Sequence, residues 1–447
     1  MPTDTRRITD DSQDREDSAS AVPLLEGLRV AVPGASTQSS HTTSRPMRIL
    51  HVAHAMYPAY GGPAKHTHEL CRALARTGAD VTLFATNLGE IGSWLPWKLP
   101  SLLDVPLDEM VPDSGVGVKY FPVQWPYRFA TSMTMARALR STIPSVDIVH
   151  IHSLYRFPGL AAGHYSQRFG IPYIVTPHGS LSPYHLGRRR DRKQLYQRLV
   201  QQKFLNRASA IQFTTQDELE LAKPIGIQAP GFVVPAAVNV DEYSRLPRPG
   251  AFTDAYPRTR GKQLVSFTGR LAPQKGLDLL ISAFAIVRER HPTAHLVLAG
   301  PDEENYERLV RKWLFECGVA ECVTLTGLLQ GDQLLSLLAS TEVWVMPSRY
   351  ESFGLAVVEA MASGLPIVIS DKVGIHNEVL EAKAGLVVPL DVGRIAGAIS
   401  ALLDDEKLRL RLGAAGRRLV ASRYTWDNAA AAMSSHYEAA MRGLIRR

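Results

Sequence analysis

"SRYESFGLAVVEAMASGLPIV", residues 348–368, decides the fold and most of the function. "VWVMPS" just before it reads as the end of a buried strand and "RYESFG" as a turn. "LAVVEAMASG" has helix-forming composition closing on Ser-Gly, and "PIVIS" is the next strand. The turn places the backbone N–H groups of Phe353, Gly354 and Leu355 at a helix start, where unpaired donors and the helix dipole favour an anion, most naturally phosphate. Gly354 lets the backbone approach that anion closely. Glu359 lies about five residues into the helix, roughly 7 Å along its axis, and Glu351 precedes it on the other side of the anion position. Two carboxylates flanking a phosphate-sized site suit a ligand with hydroxyls on either side of a diphosphate, which is the shape of a sugar nucleotide. Taken alone, the spacing fits an N-capping acid and a solvated helix residue better, so the reading needs the rest of the chain.

Working outward, the same alternation of strand, loop and helix recurs. "QLVSFTGR", "AHLVLAG", "VTLTG" and "AGLVVP" read as further strands around the 348–368 unit, with "LDLLISAFAIVRERH" as a helix. Upstream, "RILHVAHA", "DVTLFAT", "DIVHIHS", "PYIVTPHG", "AIQFTT" and "GFVVPAAV" repeat the programme, with "KHTHELCRALART" at helical spacing. Such alternation predicts parallel sheets covered by helices on both faces. Residues 244–262, "SRLPRPGAFTDAYPRTRGK", have the Pro, Gly and charge content of a linker. The expected organisation is a disordered tail over 1–46, one α/β half over 47–243, the linker 244–262, a second α/β half over 263–423 and a terminal helical segment over 424–447. In open α/β sheets ligands bind beyond the carboxyl ends of the strands, so the loops there carry the chemistry. "TGRLAPQKGLD" sits in one such loop and brings together Arg270 and Lys275, which taken alone read equally as a clamp for a diphosphate or as two solvated loop cations.

Composition sets bounds. The chain has 447 residues, 45% of them hydrophobic, enough for at least one large core and a multidomain arrangement. Its three cysteines, Cys71, Cys317 and Cys322, form no CxxC pair, which suits a reducing compartment. No apolar run reaches the roughly 18 residues of a spanning helix and no signal sequence opens the chain, so a cytoplasmic protein is expected. A formal net charge of +7 permits an anionic partner without choosing one. "YGGP" is not a dinucleotide fingerprint, which disfavours a dehydrogenase. His66, His68, His150 and His152 lack His-Glu-x-x-His spacing and read as ordinary strand-end or helix-face histidines. His152, at a strand's carboxyl end, is kept as an acceptor-side candidate.

These motifs together carry a resemblance. "GR" and "KG" across Arg270 to Gly276, followed by "PSRYESFGLAVVEAMASGLPIVIS", resemble the retaining glycosyltransferases of family 4, which have the GT-B fold of two Rossmann-like parallel-sheet domains facing across a cleft. "YGGPAKHTHEL", "VTPHGSL", "HLVLAGP" and the closing "YTWDNAA" extend it over nearly everything from Met47 onward. The resemblance implies that Arg270 and Lys275 neutralise the donor diphosphate and that Glu359 binds the ribose hydroxyls. It implies that Glu351 contacts the transferred sugar while the backbone of Phe353 to Leu355 holds sugar and phosphate. It further implies that Gly61 and Gly62 lie against the phosphates and that His178 of "TPHG" faces the reacting sugar. His178, Glu351, Arg270 and Lys275 are thus the expected catalytic set.

No Asp-x-Asp motif is present, so no metal or other cofactor is expected. One departure is "VVPAAVNVDEY", where Ala236 and Ala237 stand after Pro235 in place of the family's usual Asn-Gly. The implied activity is transfer of a hexose, with retention, from GDP-mannose or a UDP-hexose to a glycan or lipid-linked glycan in cell-surface polysaccharide assembly. A sugar-nucleotide epimerase and a non-catalytic scaffold are the rival expectations. The basic stretch 185–204, "HLGRRRDRKQLYQRLVQQKF", is either a solvated helix face or a dock for anionic lipid on the inner face of the cytoplasmic membrane. No nucleic-acid module is present.

Overall fold

The computed structural model describes residues 45–56, 62–89, 100–152, 154–182, 201–248, 250–303 and 305–445. In the first half the strands are β1 (Arg48–Ala53), β2 (Asp80–Thr86), β3 (Met110–Asp113), β4 (Val116–Phe121), β5 (Ile148–His152), β6 (Tyr173–Thr176), β7 (Ala210–Phe213) and β8 (Gly231–Val233). They form one sheet in the order β3-β4-β2-β1-β5-β6-β7-β8, parallel throughout except for the β3–β4 pair. The second half adds β9 (Gln263–Thr268), β10 (Ala294–Ala299), β11 (Val323–Gly327), β12 (Val343–Met346), β13 (Ile367–Ser370) and β14 (Leu386–Val388). Their order is β11-β10-β9-β12-β13-β14, all parallel. Two parallel-dominated α/β sheets are what the alternating pattern predicts. β3 and β4 were not expected; they are short, and only Val116, Val118 and Phe121 of β4 are buried.

Strand order places the site. β1 lies between β2 and β5, and β9 lies between β10 and β12, so each sheet reverses direction beside its first strand. At such a switch point neighbouring loops diverge and leave a crevice beyond the carboxyl ends. Arg270 follows β9, and residues 348–354 follow β12. The central strands are buried on both faces, which is why they read as continuous apolar runs and not as alternation.

The helices nearest the site are α1 (Gly62–Arg76), α2 (Gln216–Ala222), α3 (Val240–Ser244), α4 (Leu277–Arg290), α5 (Leu355–Ala362), α6 (Glu406–Arg423) and α7 (Trp426–Met441). α4 buries Leu277, Leu280, Ile281, Phe284 and Val287, the i, i+3, i+4, i+7 stripe of a helix laid on a sheet. Between α6 and α7 the chain changes halves. Tyr424 packs edge-on to Phe353 in the second core, whereas Trp426, Met433 and Tyr437 belong to the core under β1. Thr425 makes this break: it pairs with Val238 in an isolated bridge, and its side chain caps α7 by accepting from the Asn428 N–H. Part of 244–262 is also built into the second half, because Phe252 is 1% exposed in a cluster with Leu264, Val297 and Leu337.

Candidate active site

The second half presents its charges from loops that only glycine permits. At Gly300 a Cβ would strike the Gly269 carbonyl, so the loops after β9 and β10 cross in backbone contact. At Gly276, with φ +66, a Cβ would strike the Pro347 carbonyl, which packs the start of α4 against the end of β12. Between these glycines Arg270 stands half exposed and pairs with Glu303 at 2.8 Å. Lys275, 8% exposed, forms an ion pair with Glu351. The Glu351 backbone is fixed as well: its N–H donates to the Lys372 carbonyl at 3.1 Å, and its carbonyl accepts from Gly374 at 2.9 Å. Gly354 caps α5 with φ +96, and no side chain caps that end. A Cβ there would sit 3.1 Å from both Val357 and Val373.

Glu359, one turn into α5, meets the first half. Its Oε1 accepts from Lys65 Nζ at 2.7 Å and from the Tyr243 hydroxyl at 2.9 Å. Lys65 comes from α1 and Tyr243 from α3, so three elements converge on one carboxylate oxygen. Burial opposes the Lys65 charge, but Glu359 outweighs it and the ammonium is held above its usual range. Burial first, and the Glu359 charge second, push the Tyr243 hydroxyl well up, so it stays a donor. The adjoining cavity, about 540 Å³, has Gly62, Lys65 and Tyr120 on one wall and Arg270, Leu355 and Glu359 on the other. That is the size of a small-ligand site.

His178 occupies the loop after β6 in a left-handed conformation, φ +47, which costs a β-carbon-bearing residue on the order of 1–2 kcal/mol. Glu218 of α2 holds the loop. Its Oε1 accepts from the Gly179 N–H at 2.6 Å, and its Oε2 accepts from the Thr214 N–H and hydroxyl at 2.9 and 2.8 Å. Burial raises the Glu218 pKa and these bonds work against that rise. The same corner touches the second half, where Thr215 Oγ1 donates to the Ser352 carbonyl at 3.0 Å. His178 and Glu351 thus stand on facing loops.

Behind His178 lie more histidines. His51 on β1 pairs in register with His150 on β5, and His152 follows two residues on, so all three point to the face covered by α1 and α7. His51 Nδ1 lies 2.8 Å from His152 Nε2, and His152 Nδ1 lies 3.4 Å from His178 Nε2. His150 is held separately, by the Tyr437 hydroxyl at 2.6 Å and Thr176 Oγ1 at 2.7 Å. His66 of α1 stacks edge-on to His178 with ring centroids 5.5 Å apart, and both its nitrogens are buried without partners. Burial lowers the pKa of His51 to about 3 and of His66 to about 4. Burial, then their neighbours' charge, holds His150, His152 and His178 well below the usual imidazole range. Ligating nitrogens of His51, His150 and His152 fall within 4.8 Å of one another, but these rings spend their nitrogens on hydrogen bonds, and only His51 Nε2 lacks a partner.

Of the residues the sequence singled out, Gly62, Arg270, Leu355 and Glu359 line the cavity together. Lys275, Glu351, Phe353, Gly354 and His178 are not among its lining residues and belong to the loops just described. His152, the acceptor-side candidate, is 2% exposed, and its Nδ1 lies 3.4 Å from His178 Nε2. It ends β5, on the sheet face it shares with His51 and His150. Gly61 and residues 185–200 lie outside the described residues. Sequence reasoning missed Lys65, Tyr243, Glu218 and His51. The in-register His51 and His150 on neighbouring strands, with His152 two residues on, were the one signal that could have found part of this set.

Comparison with known proteins follows the same division into halves. Residues 61–237 match the family model "Glycosyl transferase 4-like domain" and residues 253–419 match "Glycosyl transferases group 1". A glycogen synthase of Mycobacterium tuberculosis is 28% identical over 427 residues, 89% of this chain and 96% of that protein. A GDP-mannose-dependent alpha-(1-6)-phosphatidylinositol monomannoside mannosyltransferase of the same organism is 34% identical over 211 residues, 45% of this chain and 54% of that protein. Among solved structures, Anabaena Alr3699/HepE in complex with UDP and glucose superposes with a TM-score of 0.69 at 17% identity, covering 88% of this chain and 100% of that one. Sucrose-phosphate synthase from Thermosynechococcus elongatus gives 0.67 at 20% identity, covering 88% and 98%. These two likenesses show the fold.

Proposed function

The chain belongs to the family 4 glycosyltransferases of GT-B fold, and from that premise we propose that it transfers a hexose, with retention, from a nucleoside diphosphate sugar to a glycan or lipid-linked glycan in cell-surface polysaccharide assembly. The observation that carries the donor assignment is the cavity wall formed by Arg270, the start of α5 and Glu359. It offers a cation, open backbone N–H groups and a carboxylate in the sequence that diphosphate and ribose require. One oxygen of Glu359 is oriented by Tyr243 and Lys65, and the other accepts from a ribose hydroxyl. The UDP complex of the Anabaena protein and the GDP-mannose dependence of the mycobacterial mannosyltransferase support a nucleotide of this kind and leave both bases open.

In this reading the protein contributes position and electrostatics. Lys275 and Arg270 carry the charge that develops on the departing diphosphate, without a metal. Glu351, held by Lys275, binds the transferred sugar from one loop while His178 faces it from the other. The acceptor hydroxyl approaches on the face the diphosphate leaves, and its proton passes to a phosphate oxygen. His178 and the 348–354 loop come from different halves, so closing the cleft completes the site. Contact of the 185–204 stretch with an anionic membrane is part of the same proposal and rests on its charge.

Calorimetric titration with UDP, GDP and ADP in a chelator-containing buffer tests the donor site. Selective binding of one nucleotide is expected, and binding restored only by a divalent ion would refute the metal-free assignment. Acceptor-stimulated release of the nucleoside diphosphate then separates a transferase from an epimerase or a scaffold.

A further inference from the structure

We infer that His152 and, behind it, His51 are positioning residues that hold His178 in the tautomer with its proton on Nδ1, so that this N–H is the donor the file leaves free for a ligand. The argument is one of counting protons. His51, His152 and His178 form a file joined by two nitrogen–nitrogen contacts, His51 Nδ1 to His152 Nε2 and His152 Nδ1 to His178 Nε2. A neutral imidazole has one N–H and one bare nitrogen. Both bonds are therefore made only when every N–H in the file points the same way. If they point inward, the last N–H is at His51 Nε2, a buried atom with no partner. If they point outward, His51 Nε2 carries only a lone pair, and the free N–H is at His178 Nδ1. An orphaned buried donor is the rarer and costlier defect, so the outward sense is favoured.

The surroundings keep the file neutral and fixed. His51 and His152 are 0% and 2% exposed, whereas His178 is partly exposed. Next to the file, His150 is locked by an independent count. Gln212 Nε2 donates to the Val234 carbonyl at 3.2 Å, which leaves Gln212 Oε1 to accept from Thr176 Oγ1 at 2.7 Å. The Thr176 hydroxyl has spent its proton, so His150 Nε2 must donate to it and His150 Nδ1 must accept from Tyr437. His150 is thereby unable to hydrogen-bond His51 and offers the file no second outlet. Glu218 fixes the backbone of the next residue, Gly179, so ring and backbone at His178 are both held.

The tautomer follows from the folded chain alone, whereas its catalytic use rests on the transferase reading above. Long-range proton–nitrogen NMR of the full chain labelled with nitrogen-15 histidine reads the tautomer without substrate. His178 protonated on Nδ1 at neutral pH is the expected result; protonation on Nε2 would overturn the inference, whatever the activity. Kinetics then tests the consequence. Asparagine places an N–H where His152 Nδ1 stands, so His152→Asn should keep the Nδ1–H tautomer and most of kcat. His152→Leu should lose the tautomer preference and roughly tenfold in kcat with nucleotide affinity unchanged. Equal kcat in the two variants would overturn the positioning role. An Nδ1–H His178 in a protein that binds no nucleoside diphosphate would instead remove the proposed function and leave the file intact.

Discussion

The two sheets share a plan and differ in what they bury. Around β9 and β12 the second half encloses Val265, Phe267, Val345 and Met346, buries only small hydroxyls such as Ser266 and Thr268 on β9, and presents Arg270, Lys275 and Glu351 beyond the strand ends. The first half buries His51, His150 and His152 in the middle of its sheet and satisfies them with Tyr437, Thr176 and one another. One half thus presents the proposed donor-binding groups from its loops. In the other, a polar network runs through the core to a single reactive corner. Polar networks of this kind specify one arrangement when complete and are costly when broken. The halves should therefore respond differently to substitution and to acid.

The largest effect belongs to the proposed donor-binding groups. Lys275→Met removes the buried cation assigned to the diphosphate and should lower kcat about 10²–10³-fold. It also leaves Glu351 without its partner, so stability should fall as well. Adding Glu351→Gln should recover stability and none of the activity. Steady-state kinetics and thermal unfolding of the two variants and the parent decide this, and a loss in kcat/KM below tenfold for the single variant would end the assignment.

Acid sharpens the contrast. An imidazole near pKa 6.5 when unfolded and about 3 in the fold, as for His51, leaves the unfolded chain binding more protons between those values. Stability is therefore complete above pH 6.5 and falls as pH drops toward 3, by about 1.4 kcal/mol per pH unit for one uncoupled ring. His66, lowered to about 4, adds to this, and His150, His152 and His178 shift in the same direction. The second half has His295, lowered to about 4 by burial and nearby cations. Hydrogen exchange at pH 5 against pH 7.5 should show β1 and β5 losing protection before β9 and β12. Equal loss in both sheets would refute the contrast.

The same difference explains what the sequence made legible. Arg270, Lys275 and Glu351 lie in loops of one half and Glu359 in the helix that follows, so short stretches carry both the shape and the charge of the candidate site. Their reading needed only strand ends, a glycine at a helix start and the spacing along α5. The histidine file is assembled from β1, β5 and the loop after β6, and the Tyr437 that holds the neighbouring His150 lies 287 positions from it. Strand pairing creates that cluster, and no window of sequence contains it. For His152 the position along the strand was legible, but its contacts with His51 and His178 were not. β3 and β4 escaped notice because a four-residue and a six-residue strand at a sheet edge bury too little to show a pattern.

Tyr243 marks the boundary between the halves and gives the finest test of their coupling. It lies in "NVDEY" beside the stretch that reads as a linker, yet it is 0% exposed and donates to the carboxylate assigned to the ribose. Lys65 bonds both groups, at 2.7 Å to Glu359 and 3.0 Å to the Tyr243 hydroxyl. Tyr243→Phe deletes one donor and keeps the ring in place, so Glu359 stays paired through Lys65 but loses its orientation. Nucleotide affinity should weaken by about 1 kcal/mol, roughly fivefold, as expected for one hydrogen bond. Because Tyr243 touches neither Lys275 nor His178, kcat at saturating donor should stay within about twofold of the parent. Calorimetry and kinetics on the same preparation separate the two quantities. A fall in kcat with unchanged affinity would mean that Tyr243 and Lys65 serve the closure of the cleft instead of the ribose, and the assignment of Glu359 would have to move with them.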